Sequence, residues 1–77
     1  MDPKEVTSLI RRSFPDAQVE VSDFTGTGDH FYISVTSPVF CGKDLIDQHR
    51  LVQRSIQTAL DDGRIHAVQI KTETPDH

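Results

Sequence analysis

The chain has 77 residues, of which 35% are apolar, with four Phe, one Tyr and no Trp. A chain of this size buries only about 60% of the surface that it exposes when unfolded, which excludes a second domain and a deep, enclosed active site. Twelve acidic residues against eight basic ones leave a net charge of −4, and this lowers the expectation of nucleic-acid binding, since contacts to phosphates supply most of that affinity.

The opening residues predict a helix over about residues 3–13. Asp2 is predicted to be the N-cap, and Pro3 takes the first helical position, where its missing N–H is not needed. The apolar residues that follow have the spacing of one helical face. Pro15 ends the helix, because the residue before a proline avoids the α conformation.

Two runs of alternating apolar and polar residues then predict a β-hairpin. The first run begins at Gln18, and the second extends from His30 to Thr36. Alternation with a period of two is typical of half-buried strands. The glycine-rich segment 25–29 separates the runs, and a loop of this length favours antiparallel pairing.

A longer helix and a third strand follow. The apolar spacing predicts one continuous helix over about 44–61, and Gly63 supplies its stop, because helices often end at a left-handed residue. Residues 64–72 alternate again and predict the last strand. The face of the helix assigned to the core comprises Leu45, Ile46, His49, Val52, Ile56, Ala59 and Leu60.

The predicted order α-β-β-α-β indicates an α/β (α+β) two-layer sandwich that forms a single domain over residues 1–77. A strand–helix–strand crossover is right-handed and joins parallel strands. We therefore expect a three-stranded mixed sheet, in which the second strand is antiparallel to the first and parallel to the third. Both helices should cover its one apolar face.

This topology predicts that His30, His66 and the segment 25–29 converge at one edge of the sheet, because parallel strands start at the same edge. His66 shares the strand parity of Val68 and Ile70 and should lean toward the core. His30 should face the other way. This opposed parity argues against both histidines binding one ion, unless the end of the loop bends.

Three stretches resemble the BolA family, and the likeness runs through essentially the whole chain. They are Gly28-Asp29-His30-Phe31, Ser37-Pro38-Val39-Phe40-Cys41-Gly42-Lys43 followed by Gln48-His49-Arg50-Leu51-Val52, and Arg64-Ile65-His66-Ala67-Val68-Gln69-Ile70-Lys71-Thr72. The resemblance implies a fold like the class II KH domain and a heterodimer with a monothiol glutaredoxin. It also implies a shared [2Fe–2S] cluster, with ligands from the glutaredoxin cysteine, glutathione and the BolA-like protein, and no cofactor in the isolated chain.

The family's C-terminal histidine ligand falls on His66, which makes this residue the leading candidate. The second family ligand, a Cys or a His in the loop between the first two strands, falls on Thr27, and a threonine is no soft ligand for iron. His30, or more weakly Asp29, could replace it. An adaptor of this kind would serve iron–sulfur maturation, iron sensing or iron homeostasis. The residues expected at the partner contact are Thr27, Gly28 and Arg64.

The same residues also have simpler interpretations. His66 could be a strand-end histidine bonded to a backbone carbonyl, and His30 a solvated residue at the mouth of the hairpin. His49, on the apolar helix face, is interpreted as a packed structural histidine. Cys41 matches no ligand position of the family and is interpreted as a thiol without a role.

DNA binding, as in a transcriptional or stress regulator, is the alternative function. KH domains hold the nucleic-acid backbone with a Gly-x-x-Gly loop, which this sequence lacks. Lys43, Arg50 and Arg54 could still form a modest basic patch. The sequence has no nucleophile, paired carboxylates or phosphate loop in a pattern that predicts an enzyme.

The remaining features predict a cytoplasmic protein that does not engage a membrane. A single cysteine, Cys41, cannot form an internal disulfide and fits a reducing compartment. The acidic start differs from a signal peptide, and no apolar run reaches the roughly 18 residues that a membrane span needs. The isolated chain is expected to be a monomer or a weak homodimer.

Overall fold

The computed structural model describes residues 2–23 and 30–75. The predicted loop 25–29, with the candidate residues Thr27, Gly28 and Asp29, lies outside the described residues. The elements are α1 (Pro3–Ser13), β1 (Gln18–Asp23), β2 (His30–Thr36), a 3₁₀ helix (Pro38–Phe40), α2 (Leu45–Ser55), α3 (Gln57–Asp61) and β3 (Ala67–Glu73).

The three strands form one mixed sheet in the order β1-β2-β3. β1 is antiparallel to β2, and β2 is parallel to β3, with His30 opposite Ala67 at one end and Thr36 opposite Glu73 at the other. Both predicted pairings are confirmed. The sheet thus has one edge at which β2 and β3 begin, and we call it the starting edge.

The first helix forms where its capping residues predict it. The carboxylate of Asp2 accepts a hydrogen bond from the backbone N–H of Glu5 at 3.0 Å, which satisfies one of the unpaired donors at the helix start. Val6 and Ile10, one turn apart, are wholly buried. α1 therefore packs its apolar stripe on the sheet beside β1.

The core lies between the helices and one face of the sheet. Phe31, Ile33 and Val35 of β2 are completely buried, whereas the apolar side chains of β1 and β3 are only partly buried against them. This is the predicted two-layer arrangement, with the central strand deepest. The other buried apolar residues are Val6, Ile10, Phe14, Ala17, Phe40, Val52, Ile56, Ala59 and Ile65.

The second helix is not continuous, which corrects the prediction of one helix over 44–61. α2 ends at Ser55, and Ile56 separates it from α3 with φ −115° and ψ 10°. The Ser55 hydroxyl donates to the carbonyl oxygen of Val52, a back-bond of the kind that bends helices, while the Ile56 side chain is fully buried. In the part of the chain that the structure describes, no helix is long and apolar enough to span a bilayer.

The first turn of α2 is solvent-exposed, although its apolar residues were assigned to the core face. Leu45 and Ile46 are both 64% exposed. Gln48, further along the same helix, does meet the sheet, since its side chain accepts a hydrogen bond from the hydroxyl of Thr72 near the end of β3.

Candidate functional site

His30 and His66 lie side by side at the starting edge. His30 is the first residue of β2 and stands opposite Ala67, and His66 directly precedes Ala67 in the chain. Their ring centroids are 6.2 Å apart, and the ring planes are perpendicular. The predicted convergence is confirmed, and we call these two residues the histidine pair.

The predicted core-leaning orientation of His66 is wrong, and so is the start of the last strand at residue 64. The N–H of Ile65 donates to the carbonyl oxygen of Ala59 at 3.1 Å instead of entering the sheet, and the Ile65 side chain is only 1% exposed. β3 begins two residues later, at Ala67. Because strand parity does not extend through this irregular segment, His66 is exposed and the parity argument against a shared ion no longer applies.

The geometry of the histidine pair suits one metal ion after a small adjustment. Metal–nitrogen bonds of about 2.1 Å in a tetrahedral site would hold two imidazole centroids roughly 5 Å apart. The observed separation of 6.2 Å is therefore about 1 Å wider than this. A difference of this size is within the range that a change of side-chain rotamer provides.

In the described part of the chain, the pair supplies two ligands. Within residues 2–23 and 30–75, no group of three or more His, Cys, Asp or Glu side chains could hold a metal ion. Imidazole is a suitable ligand for iron, and in Rieske centres two histidines bind one iron of a [2Fe–2S] cluster. The residues present thus fit one half of a shared cluster site.

Arg64 is held in a defined position just before the histidine pair. Its Nε donates to the Asp62 carboxylate at 2.8 Å, and its backbone N–H donates to the same group at 3.1 Å. The side-chain hydrogen bond from Arg64 is the main reason that the pKa of Asp62 lies below its ordinary value. Gly63 completes this turn with φ +82°, the left-handed conformation that the sequence predicts for it.

A cleft that the sequence did not predict lies between α1 and this turn. The cleft, of about 250 Å³, is lined by Glu5, Ser8, Leu9, Arg12 and Arg64. The first four follow the spacing i, i+3, i+4, i+7, so the sequence placed them on one helix face. Only the folded chain brings that face to Arg64.

Cys41 lies at the opposite end of the sheet from the histidine pair. It follows the 3₁₀ helix after β2, its N–H donates to the carbonyl of Pro38, and its thiol is exposed. The two ends of a seven-residue strand are roughly 20 Å apart. His49, on α2, is half-buried and follows Gln48, whose side chain meets Thr72 near the end of β3, away from the histidine pair. Neither residue adds to the candidate site, and the absence of a role for Cys41 stays a prediction.

The basic residues proposed to bind DNA in the alternative function lie together, along α2 and just before it. Lys43, Arg50 and Arg54 line one shallow depression of about 260 Å³, with Asp47 and Leu51. Asp47 places a negative charge among the three positive ones. This basic depression is therefore a modest electrostatic feature rather than a strongly positive surface.

Comparisons with known proteins agree with the resemblance. The family model described as BolA-like protein matches residues 4–77. The acid stress protein IbaG of Escherichia coli is 31% identical over 75 residues, which cover 97% of this chain and 86% of that protein. The uncharacterized protein RP812 of Rickettsia prowazekii is 30% identical over 69 residues, 90% of this chain and 88% of that one.

A solved structure shows the same fold. BolA1 of Arabidopsis thaliana superposes with a TM-score of 0.85 and covers 97% of this chain and 93% of its own, at 24% identity. At that identity the likeness bears on the fold alone. The likeness to class II KH domains stays a prediction.

Proposed function

The chain belongs to the BolA-like protein family, and on that premise we propose that it is an adaptor, not an enzyme, which pairs with a monothiol glutaredoxin to hold or relay a [2Fe–2S] cluster. The observation that carries this proposal is the histidine pair, two imidazoles 6.2 Å apart at one exposed edge. Two such ligands suit a site that a partner must complete.

The proposed roles of the residues follow from the donor set. His66, exposed and placed just before β3, is the principal ligand of the chain, and His30 is the second. The glutaredoxin cysteine and the thiol of glutathione supply the remaining ligands as thiolates, the soft donors that iron–sulfur clusters require. His30 thus acts as the second ligand, because Thr27, at the position of the family's second ligand, is no soft ligand for iron.

The cellular role that we propose is iron–sulfur maturation, iron sensing or iron homeostasis in the cytoplasm. The E. coli relative carries the name of an acid stress protein, which supports a link of this chain to stress response. The isolated chain is proposed to carry no cluster and to be a monomer or a weak homodimer. The heterodimer of this chain with the glutaredoxin holds the [2Fe–2S] cluster.

Co-expression with a monothiol glutaredoxin tests the proposal. The co-purified complex should show the visible absorption and circular dichroism of a [2Fe–2S] cluster, and its spectrum should differ from that of the glutaredoxin expressed alone, because imidazole replaces thiolate at one iron. Glutaredoxin without the chain is the matched control. A chain that fails to co-purify, or that leaves the glutaredoxin spectrum unchanged, would contradict the proposal.

DNA binding is the second candidate, and the clustering of Lys43, Arg50 and Arg54 is the observation that favours it. With a net charge of −4 and Asp47 inside the depression, we expect only weak, salt-sensitive duplex binding, with a Kd in the nonspecific range of about 10⁻⁴ to 10⁻⁶ M. Fluorescence anisotropy with duplexes of several sequences, at two salt concentrations, measures this.

Single substitutions distinguish DNA binding at the basic depression from nonspecific attraction of DNA to any positive charge of the chain. Arg50→Ala and Arg54→Ala should each weaken the residual binding, whereas Lys4→Ala, on α1, should change it less for the same loss of charge. Discrimination between sequences with a Kd near 10⁻⁸ M, the range of specific complexes, would make DNA binding the leading function instead.

A further inference from the structure

The edge of the sheet at β1 takes no part in the proposed function. In the strand order β1-β2-β3, β1 pairs with β2 alone. Alternate residues of an edge strand direct their N–H and C=O groups away from the sheet. Among the described residues, the backbone of residues 18–22 makes no hydrogen bond outside its pairing with β2. The outward groups of this strand are therefore available to a further strand.

β1 also lacks the features that prevent strand edges from pairing. Proteins protect such edges with proline and with charged side chains, lysine above all. Residues 18–22 contain neither proline nor lysine, and their one charged residue, Glu20, is exposed on the face opposite to the helices. The other edge strand, β3, carries Lys71 in an ion pair with Glu73 at 3.0 Å. Of the two edges, β1 is thus the one open to strand addition.

A groove lies beside this edge, on the face of the sheet that α1 covers. It has a volume of about 480 Å³ and is lined by Pro3, Lys4, Thr7, Ser8, Val19 and Val21. The two valines are half-buried and lie two positions apart on one face of β1. A strand added to β1 would direct every second side chain to that same face, along the flank of α1. We call this feature the α1–β1 groove.

We propose that an extended segment of a partner protein adds to β1 as a fourth strand and places small aliphatic side chains, and one acidic side chain, in the α1–β1 groove. The strand edge requires an occupant that offers backbone donors and acceptors, which an α-helix uses internally. Val19 and Val21 require apolar side chains at alternate positions. Lys4 is the single charged residue in the lining and requires a negative charge. In recognition of this kind, main-chain hydrogen bonds supply affinity and side-chain pockets supply specificity.

A second copy of this chain suits the edge less well than an isolated segment. In an antiparallel pair of two β1 strands, both α1 helices would lie on the same side of the joined sheet. Neighbouring strands are about 4.8 Å apart, whereas packed helices need roughly 8–10 Å between their axes. Because α1 flanks β1, the second α1 would compete for the space of the groove. A segment without a helix of its own avoids this conflict.

The probe is a capped heptapeptide of sequence Glu-Thr-Val-Thr-Val-Thr-Val, in which the acid and the valines share one face of an extended strand. NMR titration of the ¹⁵N-labelled chain gives the Kd, and amide hydrogen exchange locates the contact. At a peptide concentration about ten times the Kd, the outward amides of residues 18–22 should exchange about ten-fold more slowly, because exchange then proceeds from the unbound tenth. Amides of β3 should exchange as before.

Two N-methylated forms of the peptide test the strand pairing itself. Successive amides of a strand point to opposite edges, so methylation of the three valine amides blocks one edge and methylation of the three threonine amides blocks the other. One form should bind like the parent peptide, and the other should not bind. Binding of both forms, or of neither, would overturn strand addition.

A charge reversal tests the assignment of Lys4. Lys4→Glu and Arg11→Glu make the same change of charge on the exposed surface of α1, but only Lys4 lines the groove. Lys4→Glu should raise the Kd of the peptide about two- to five-fold, as expected for an exposed ion pair, and Arg11→Glu should change it less. Equal effects of the two substitutions would overturn the role of Lys4. Far-UV circular dichroism confirms that both variants are folded.

Two further results would overturn the inference. One is the absence of any shift in β1 with peptide at about 1 mM, the weak end of measurable affinities. The other is a chain that dimerises in sedimentation equilibrium with its outward β1 amides already protected, since the edge would then belong to a second copy. The inference does not rest on the proposed function, because the histidine pair does not line the groove. Either result would leave the cluster proposal standing.

Discussion

Replacement of His66 by alanine should make the [2Fe–2S] cluster of the glutaredoxin complex labile while the chain stays folded. His66 is exposed and precedes β3, so the core does not depend on its side chain. Mutation of residues that merely orient metal ligands lowers metal affinity about 10- to 100-fold, so loss of a direct ligand should accelerate cluster loss by at least about 10-fold. The decay of the visible circular dichroism after addition of a chelator measures this rate.

Three matched variants make the assignment specific. His30→Ala should also accelerate cluster loss, because His30 is the other member of the histidine pair. His49→Ala and Cys41→Ser should leave the decay unchanged, since neither residue lies at the starting edge. If Cys41→Ser perturbs the cluster and His66→Ala does not, the ligand assignment is wrong, although the family assignment stands.

Replacement of Phe40 by alanine should produce the largest loss of stability that we predict for this chain. Phe40 is fully buried and packs against Phe14, with ring centroids 5.5 Å apart. Removal of a buried phenyl ring costs about 3–5 kcal/mol. A 77-residue chain has a total stability of only about 4–12 kcal/mol, so much of it would be lost.

Thermal and urea unfolding measure this effect. The Tm should fall by at least about 12 °C, because in domains of this size each kcal/mol corresponds to roughly 4–8 °C. Val39→Ala is the matched control: Val39 is the preceding residue of the same 3₁₀ helix, but it is 48% exposed, and its replacement should change stability by no more than about 0.5 kcal/mol. Equal effects at the two positions would contradict the burial of Phe40.

The principal candidate site could be predicted because its position depends on the start of two parallel strands. The right-handed crossover places His30 and the approach to β3 at one edge, whatever the details of packing. The family resemblance singled out His66, and the structure then placed the two rings 6.2 Å apart. Arg12 could not be found in this way, because its neighbour Arg64 is 52 positions away in the sequence and no motif links the two.

The sequence by itself determined the order of the elements, the pairing of the strands and the N-cap of the first helix, since these depend on local periodicity, capping and chain handedness. Tertiary structure alone decided the break at Ile56, the exposure of Leu45 and Ile46, and the outward position of His66. Periodicity shows which face of an element is apolar, but it does not show where the layer that covers this face ends. The first turn of α2 leaves Leu45 and Ile46 exposed, and Ile65 packs into the core ahead of β3, so His66 is left in solvent.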